Sequence, residues 1–158
     1  MNKRTKALDL FQKAYEKQMQ GDLVSAIDLY KKSIAVLPTA EAHTFLGWTY
    51  SFQDRYEEAI EECEKAIRED PDFGNPYNDI GVYLIERGRY DEAIPYLQRA
   101  LKAKRYESLH YPHFNLGRAL EKKGQWLEAI AEYREALRLE KDYRLAEMSL
   151  YKLTALMN

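Results

Sequence analysis

The sequence predicts an all-α solenoid built from about four antiparallel helix pairs and a closing helix. Three observations predict it. An Ala-Ile pair returns four times, at Ala26-Ile27, Ala59-Ile60, Ala93-Ile94 and Ala129-Ile130, at intervals of 33, 34 and 36 residues. A second series, Leu46-Gly47, Ile80-Gly81 and Leu116-Gly117, keeps step with it at intervals of 34 and 36. Around both, the apolar residues follow the i, i+3, i+4, i+7 spacing of a helix face. Two series in step at this period mark a stacked repeat, in which each unit buries its apolar face against its neighbours.

The first unit covers about residues 7–39. Its first helix ends at Gln20-Gly21-Asp22, and its second carries Leu23, Ala26, Ile27, Tyr30 and Ile34 before Leu37-Pro38-Thr39. The second unit, 40–73, turns at Gln53-Asp54-Arg55, runs through Tyr56, Ala59, Ile60, Cys63 and Ala66, and leaves through Asp70-Pro71-Asp72. The third, 74–109, turns at Arg87-Gly88-Arg89 and carries Tyr90, Ala93, Ile94, Leu97 and Leu101. Its exit over 104–109 is two residues longer than the standard period. The fourth, 110–143, turns at Lys123-Gly124-Gln125 and carries Trp126, Ala129, Ile130, Tyr133 and Leu137. A ninth helix over 143–157 is expected to cover the end of the fourth pair with Leu145, Ala146, Ser149, Leu150 and Leu153. Lys13 and Lys17 occupy sites that are apolar in later units, which suits a terminal repeat. Both ends therefore read as finished, and the chain as one whole domain over 1–158.

Glycine in three of the four turns fits the left-handed position after a helix end; Asp54 stands there in the second. Pro76 and Pro112 fall in the first turns of their helices, where a missing N–H is harmless. Gly47, Gly81 and Gly117 sit mid-helix, where glycine costs about 1 kcal/mol against alanine. That cost points to close helix approach, with Ala59, Ala93 and Ala129 as the expected opposing residues.

Composition narrows the function. Apolar residues make up 46% and charged residues 32%, the balance of a soluble helical protein. A net charge of −2 argues against a dedicated nucleic-acid binder, which carries a basic footprint. The charge is uneven: residues 1–79 sum to −5 and residues 80–158 to +3. The single cysteine, Cys63, forms no internal disulfide and fits a reducing compartment. No signal peptide and no apolar run of membrane-spanning length is visible, so a cytoplasmic location without membrane insertion is expected.

These positions resemble the tetratricopeptide repeat family, whose 34-residue pattern holds a Trp-type residue, Leu-Gly, Tyr, Ala, Phe and Pro. The second unit matches with His43, Leu46-Gly47, Tyr50, Ala59, Cys63 and Pro71. The third matches with Tyr77, Ile80-Gly81, Leu84, Ala93 and Leu97, and the fourth with His113, Leu116-Gly117, Leu120, Ala129 and Tyr133; Arg105 and Lys141 replace the proline. The first, with Leu10, Lys13-Ala14, Lys17, Ala26, Tyr30 and Pro38, departs furthest. The resemblance covers about residues 7–156. It implies a right-handed superhelix whose first helices line an inner groove for a protein or peptide ligand.

On that mapping the partner-binding residues are Tyr15, Phe45, Trp48, Phe52, Asn78, Val82, Tyr111, Phe114 and Arg118. Aromatic and Arg side chains are common anchors, and Asn78 and Asn115 are read either as clamps on a peptide backbone or as solvated polar sites. One subset of the family grips the C-terminal carboxylate of heat-shock chaperones with Lys, Asn and Arg. The matching positions here hold Phe11, Tyr15, Phe45, Asn75 and Asp79, so no such clamp is expected.

The search for chemistry is sparse. His110 and His113 have one-turn spacing without a third ligand, and packing is the favoured role. Cys63 reads as an inert core thiol. The acidic runs Glu57-Glu58 and Glu61-Glu62 read as a solvated outer face. No phosphate-binding glycine loop, nucleophile elbow or zinc helix is found, so no metal, cofactor or catalytic site is expected. The leading expectation is a non-catalytic interaction module acting as adaptor or assembly scaffold; the alternative is a scaffold that assembles with copies of itself.

Overall fold

The computed structural model describes all 158 residues. It comprises α1 (Lys3–Met19), α2 (Leu23–Val36), α3 (Ala40–Ser51), α4 (Tyr56–Glu69), α5 (Asn75–Glu86), α6 (Tyr90–Lys102), α7 (His110–Lys122), α8 (Trp126–Leu139) and α9 (Arg144–Met157). Odd and even helices form the pairs α1/α2, α3/α4, α5/α6 and α7/α8. Each even helix also packs on the odd helix that follows it, which stacks the pairs in a row. The odd helices of adjacent pairs touch directly, α3 on α5 and α5 on α7. No helix is long and apolar enough to cross a membrane.

Local chemistry starts and stops these helices. Asn2, Asp22 and Thr39 cap α1, α2 and α3, their side-chain oxygens accepting from the backbone N–H three residues on. The four turns within pairs share one device, a residue at positive φ: Gly21 at 81°, Asp54 at 57°, Gly88 at 74° and Gly124 at 79°. Asp54 is tolerated because aspartate is among the few side chains that enter this region at modest cost. Pro95 lies inside α6, where it removes a donor to the Asp91 carbonyl, yet the helix runs on to Lys102.

The mid-helix glycines are sites of close approach, but the opposing residue differs from expectation. A Cβ on Gly81 would stand 2.3 Å from Leu97 Cδ2, and one on Gly117 would stand 2.4 Å from Tyr133 Cε1. One on Gly47 would meet the Ala59 carbonyl oxygen at 2.9 Å and Cys63 Sγ at 3.2 Å. The glycines thus make room chiefly for the side chain one turn beyond the repeated alanine. The alanines themselves are fully buried.

The core is continuous from Ala14 and Tyr30 through Leu46, Cys63, Ile80 and Leu97 to Leu116 and Ala119. A second cluster joins Phe114, Ala129, Tyr133, Ala146 and Leu153, so α7 faces both. Ala146 and Leu153 of α9 cover the fourth pair, whereas Leu145 is 57% exposed and does not. The long 104–109 connection folds back on the previous one. Arg105 N–H donates to the Asp72 carbonyl at 2.8 Å, and Gly74 N–H donates to the Arg105 carbonyl at 3.1 Å. The Arg105 guanidinium donates to Asp70 at 2.7 Å and Glu41 at 3.1 Å and lies over the Phe73 ring.

The Gly81 contact yields the first prediction. Gly81→Leu forces α5 and α6 apart and destabilises the chain by about 3 kcal/mol or more. Urea denaturation followed by circular dichroism measures this; an unchanged midpoint would refute the pairing register.

Candidate functional site

The face formed by the odd helices carries most of the residues singled out above. Phe45 is at its centre. Its ring lies 5.1 Å from Phe11, 5.9 Å from Tyr15 and 5.8 Å from Trp48, and Trp48 lies 5.2 Å from Phe52. Tyr15, Phe45, Trp48 and Phe52 thus form a ladder running from α1 across α3. The outer rungs are open, Tyr15 at 42% and Phe52 at 55% exposure, while Phe45 and Trp48 are half-buried. Edge contacts of this kind hold rings in place without covering them.

Phe45 also divides two clefts. One, of about 500 Å³, lies between α1, the end of α2 and α3, and is lined by Leu8, Phe11, Leu37 and Phe45. The other, of about 220 Å³, lies between α3 and α5 and is lined by Thr44, Phe45, Trp48, Asn75 and Asp79. Burial pushes the Asp79 carboxyl up to about 7, against an opposing pull from Asn78. Desolvation beside aromatic rings favours its neutral form, and Asp79 makes no salt bridge: Arg105 and Arg118 are engaged by other acids.

Two expected groove residues are corrected by burial. Phe114 is only 9% exposed, because Tyr133 of α8 and Tyr143, the residue before α9, pack against its ring. Asn78 is 7% exposed and accepts from the Asn115 amide at 3.1 Å, so it neither clamps a peptide nor sits in solvent. Asn115 in turn accepts from Arg118, whose other nitrogen reaches Glu86 at 2.8 Å. Arg118 is therefore half-buried and occupied. Val82 is half-buried against the core. Tyr111 is 44% exposed and stacks with His110 and Tyr143 in a second aromatic group, away from the ladder.

Sequence reasoning missed a His–Glu pairing that occurs twice, once buried and once half-buried. His43 Nδ1 donates to Glu62 at 2.7 Å, and His113 Nδ1 donates to Glu132 at 2.6 Å, each across 19 residues. Glu62 was placed on an outer face, yet it is buried. Desolvation raises its pKa, but the bonds from His43 and Lys65 outweigh this and hold the carboxyl below its usual range. The equal His-to-Glu spacing in two units was the available signal. Cys63 is fully buried, and desolvation keeps its thiol protonated.

Comparison with known proteins places this geometry. Sequence models of the tetratricopeptide repeat match residues 40–73 and 72–142. Small glutamine-rich tetratricopeptide repeat-containing protein 2 of Mycosarcoma maydis is 30% identical over 83 residues, 51% of this chain and 23% of that protein. The matched stretch spans 6–29% of the length of four such curated relatives. Among solved structures, that of Pseudomonas aeruginosa pilF superposes with a TM-score of 0.91 over 98% of this chain and 70% of its own, at 22% identity. YrrB, described as a TPR protein with an unusual peptide-binding site, superposes at 0.73 over 96% and 77%, at 24% identity. At these identities the likeness is one of fold.

The unpaired carboxylate has a testable effect on stability. The native pKa of Asp79 lies above its unfolded value near 3.8. Between the two, the native state holds a proton the unfolded state releases, so this group's contribution falls as pH rises toward 7. Asp79→Asn is expected to be more stable than wild type, with an advantage that grows from pH 5 to pH 8 and reaches about 1–2 kcal/mol after allowance for solvent access. Thermal melts of both proteins across that range check it; a pH-independent difference would exclude the desolvated carboxylate.

Proposed function

The chain belongs to the tetratricopeptide repeat family, and on that ground we propose that it is a non-catalytic interaction module that holds a peptide segment of a partner protein. The segment lies along the odd-helix face, which is the concave groove of the solenoid. Direct contact of α3 with α5 and α5 with α7 supports curvature toward that side. The observation that carries the reading is the ladder of Tyr15, Phe45, Trp48 and Phe52, with a cleft on either side of Phe45. A run of half-buried and exposed rings packed on one another provides large contact area at small entropic cost on binding. Backbone polar groups of α1 and α3 are spent within their helices, so affinity comes from side-chain anchors rather than from strand addition.

Tyr111, beside His110 and Tyr143, extends the apolar surface toward α7, and Val82 lies between the two aromatic groups along the row of odd helices. Asn78, Phe114 and Arg118 support the face from beneath or beside it. A specific observation favours a second reading, in which copies associate end to end: α9 exposes Leu145, Met148, Tyr151 and Leu156 at 52–75%. Sedimentation across a hundredfold concentration range separates the two, since only the second requires the mass to rise.

The groove reading is tested by selecting binders from a phage-displayed library of random dodecapeptides. Enriched peptides are expected to bind the Trp48→Ala/Phe52→Ala variant at least about tenfold more weakly than wild type, with helicity unchanged by circular dichroism. Equal binding to both proteins would overturn the assignment of the site to this face.

A further inference from the structure

The cleft between α3 and α5 has a chemistry of its own. Its volume of about 220 Å³ is below the range of roughly 300–1,000 Å³ typical of small-molecule pockets and suits one inserted side chain. Its walls are the rings of Phe45 and Trp48, and its polar groups are Thr44, Asn75 and Asp79. The Thr44 hydroxyl proton is already donated to the Ala40 carbonyl at 2.7 Å, so that hydroxyl can offer a ligand an acceptor only. Asp79 has no cationic partner. The guanidinium groups of the adjoining 104–109 connection and of α7 are committed, Arg105 to Asp70 and Glu41, and Arg118 to Glu86 and Asn115. A half-buried carboxylate between aromatic rings without a counter-ion is an unfavourable arrangement that an arriving cation relieves.

We propose that this cleft is an anchor site for one basic side chain, lysine or arginine, of the bound partner segment. The proposal rests on the groove reading above and specifies the chemistry that the groove selects. The ammonium or guanidinium pairs with the Asp79 carboxylate and donates to Thr44 Oγ1, while its aliphatic stem and charge lie against Phe45 and Trp48. An acidic or C-terminal carboxylate anchor is repelled at the same point.

Protonation separates this site from plain apolar contact. The titratable groups coupled to Asp79 are the Cys63 thiol of α4, the Tyr83 phenol of α5 and the Tyr106 phenol of the 104–109 connection. Burial raises the pKa of all three, so none ionises between pH 6 and pH 8. Asp79, pushed up to about 7, does. Affinity for a basic anchor therefore falls as pH drops from 8 to 6.

The test uses the full chain and the dodecapeptide selection, run at pH 8 against wild type, Trp48→Ala/Phe52→Ala and Asp79→Asn. Wild-type binders are expected to share a Lys or Arg at one position. Replacing it with acetyl-lysine or citrulline is expected to weaken binding roughly tenfold or more by fluorescence polarisation. Asp79→Asn is expected to cause a similar loss, and the two changes together no more than either alone. Lowering the pH to 6 is expected to weaken the basic peptide and leave its neutral counterpart unchanged. Binders that depend on Trp48 and Phe52 but share no basic position, or that bind Asp79→Asn as well as wild type, would overturn the anchor and leave the groove standing. Binders indifferent to Trp48 and Phe52, or no enriched peptide at all, would remove the groove reading and the anchor with it.

Discussion

The contact on which the solenoid depends is the near-touching of the two helices in each pair where a glycine faces a buried side chain. Side-chain size on the second helix sets how the gap is filled. At Gly117 the gap admits a tyrosine ring, and the Tyr133 hydroxyl then reaches Glu121 one turn on. In the first pair, fully buried Ala14 stands in the glycine's place and Tyr30 reaches Gln18 in the same manner. At Gly47 the small Cys63 leaves less to accommodate, and the Ala59 backbone itself comes close. Because the pairs are tight, their two odd-helix neighbours are carried into contact, and the surface that results is a consequence of the spacing beneath it.

Buried polar links add register to this packing. His43–Glu62 and His113–Glu132 fasten helices within pairs, whereas Asn78–Asn115–Arg118–Glu86 ties α5 to α7. Unsatisfied groups in these positions would be costly, so each link penalises any slip of one helix along another. Arg105 reaches furthest, joining α3 and the end of α4 to the connection after α6 across 64 residues of sequence. In a solenoid most contacts join only neighbouring units. The 104–109 connection therefore ties the start and the end of the second unit to the third.

The fold was legible because repeat period, helical spacing and turn residues all gave the same answer. Gly21, Gly88 and Gly124 marked turns by the one conformation they adopt cheaply, and Asp54 could be placed by its register with them. The face was legible only in part. Helical spacing assigns a residue to a side of its own helix but does not state what lies against that side. Phe114 was assigned to the groove by angle, but Tyr133 and Tyr143 bury its ring. Glu62 looked solvated beside Glu57, Glu58 and Glu61, but its neighbour across the pair is His43. Asn78 and Asn115 were each read singly, and only the stacking of α5 on α7 brings their amides together. Leu145 was assigned to the interface by its apolar character, while the angle of α9 turns it outward.

The odd-helix face departs from what stability alone would select. Stability favours covered aromatics and paired charges, as in the rest of this core. Here Phe52 and Tyr15 stay open, and Asp79 is desolvated without a cation, while Arg118 of α7 and Arg105 of the 104–109 connection pair with other acids. Sequences tend to break local rules of this kind at functional positions and to compensate elsewhere. The compensation is visible in the same units: edge-on ring contacts fix the ladder, and the polar links fasten α3, α5 and α7 behind it. A rigid, incompletely satisfied surface gains more from a complementary partner than a flexible one, because little ordering remains to be done when the partner arrives.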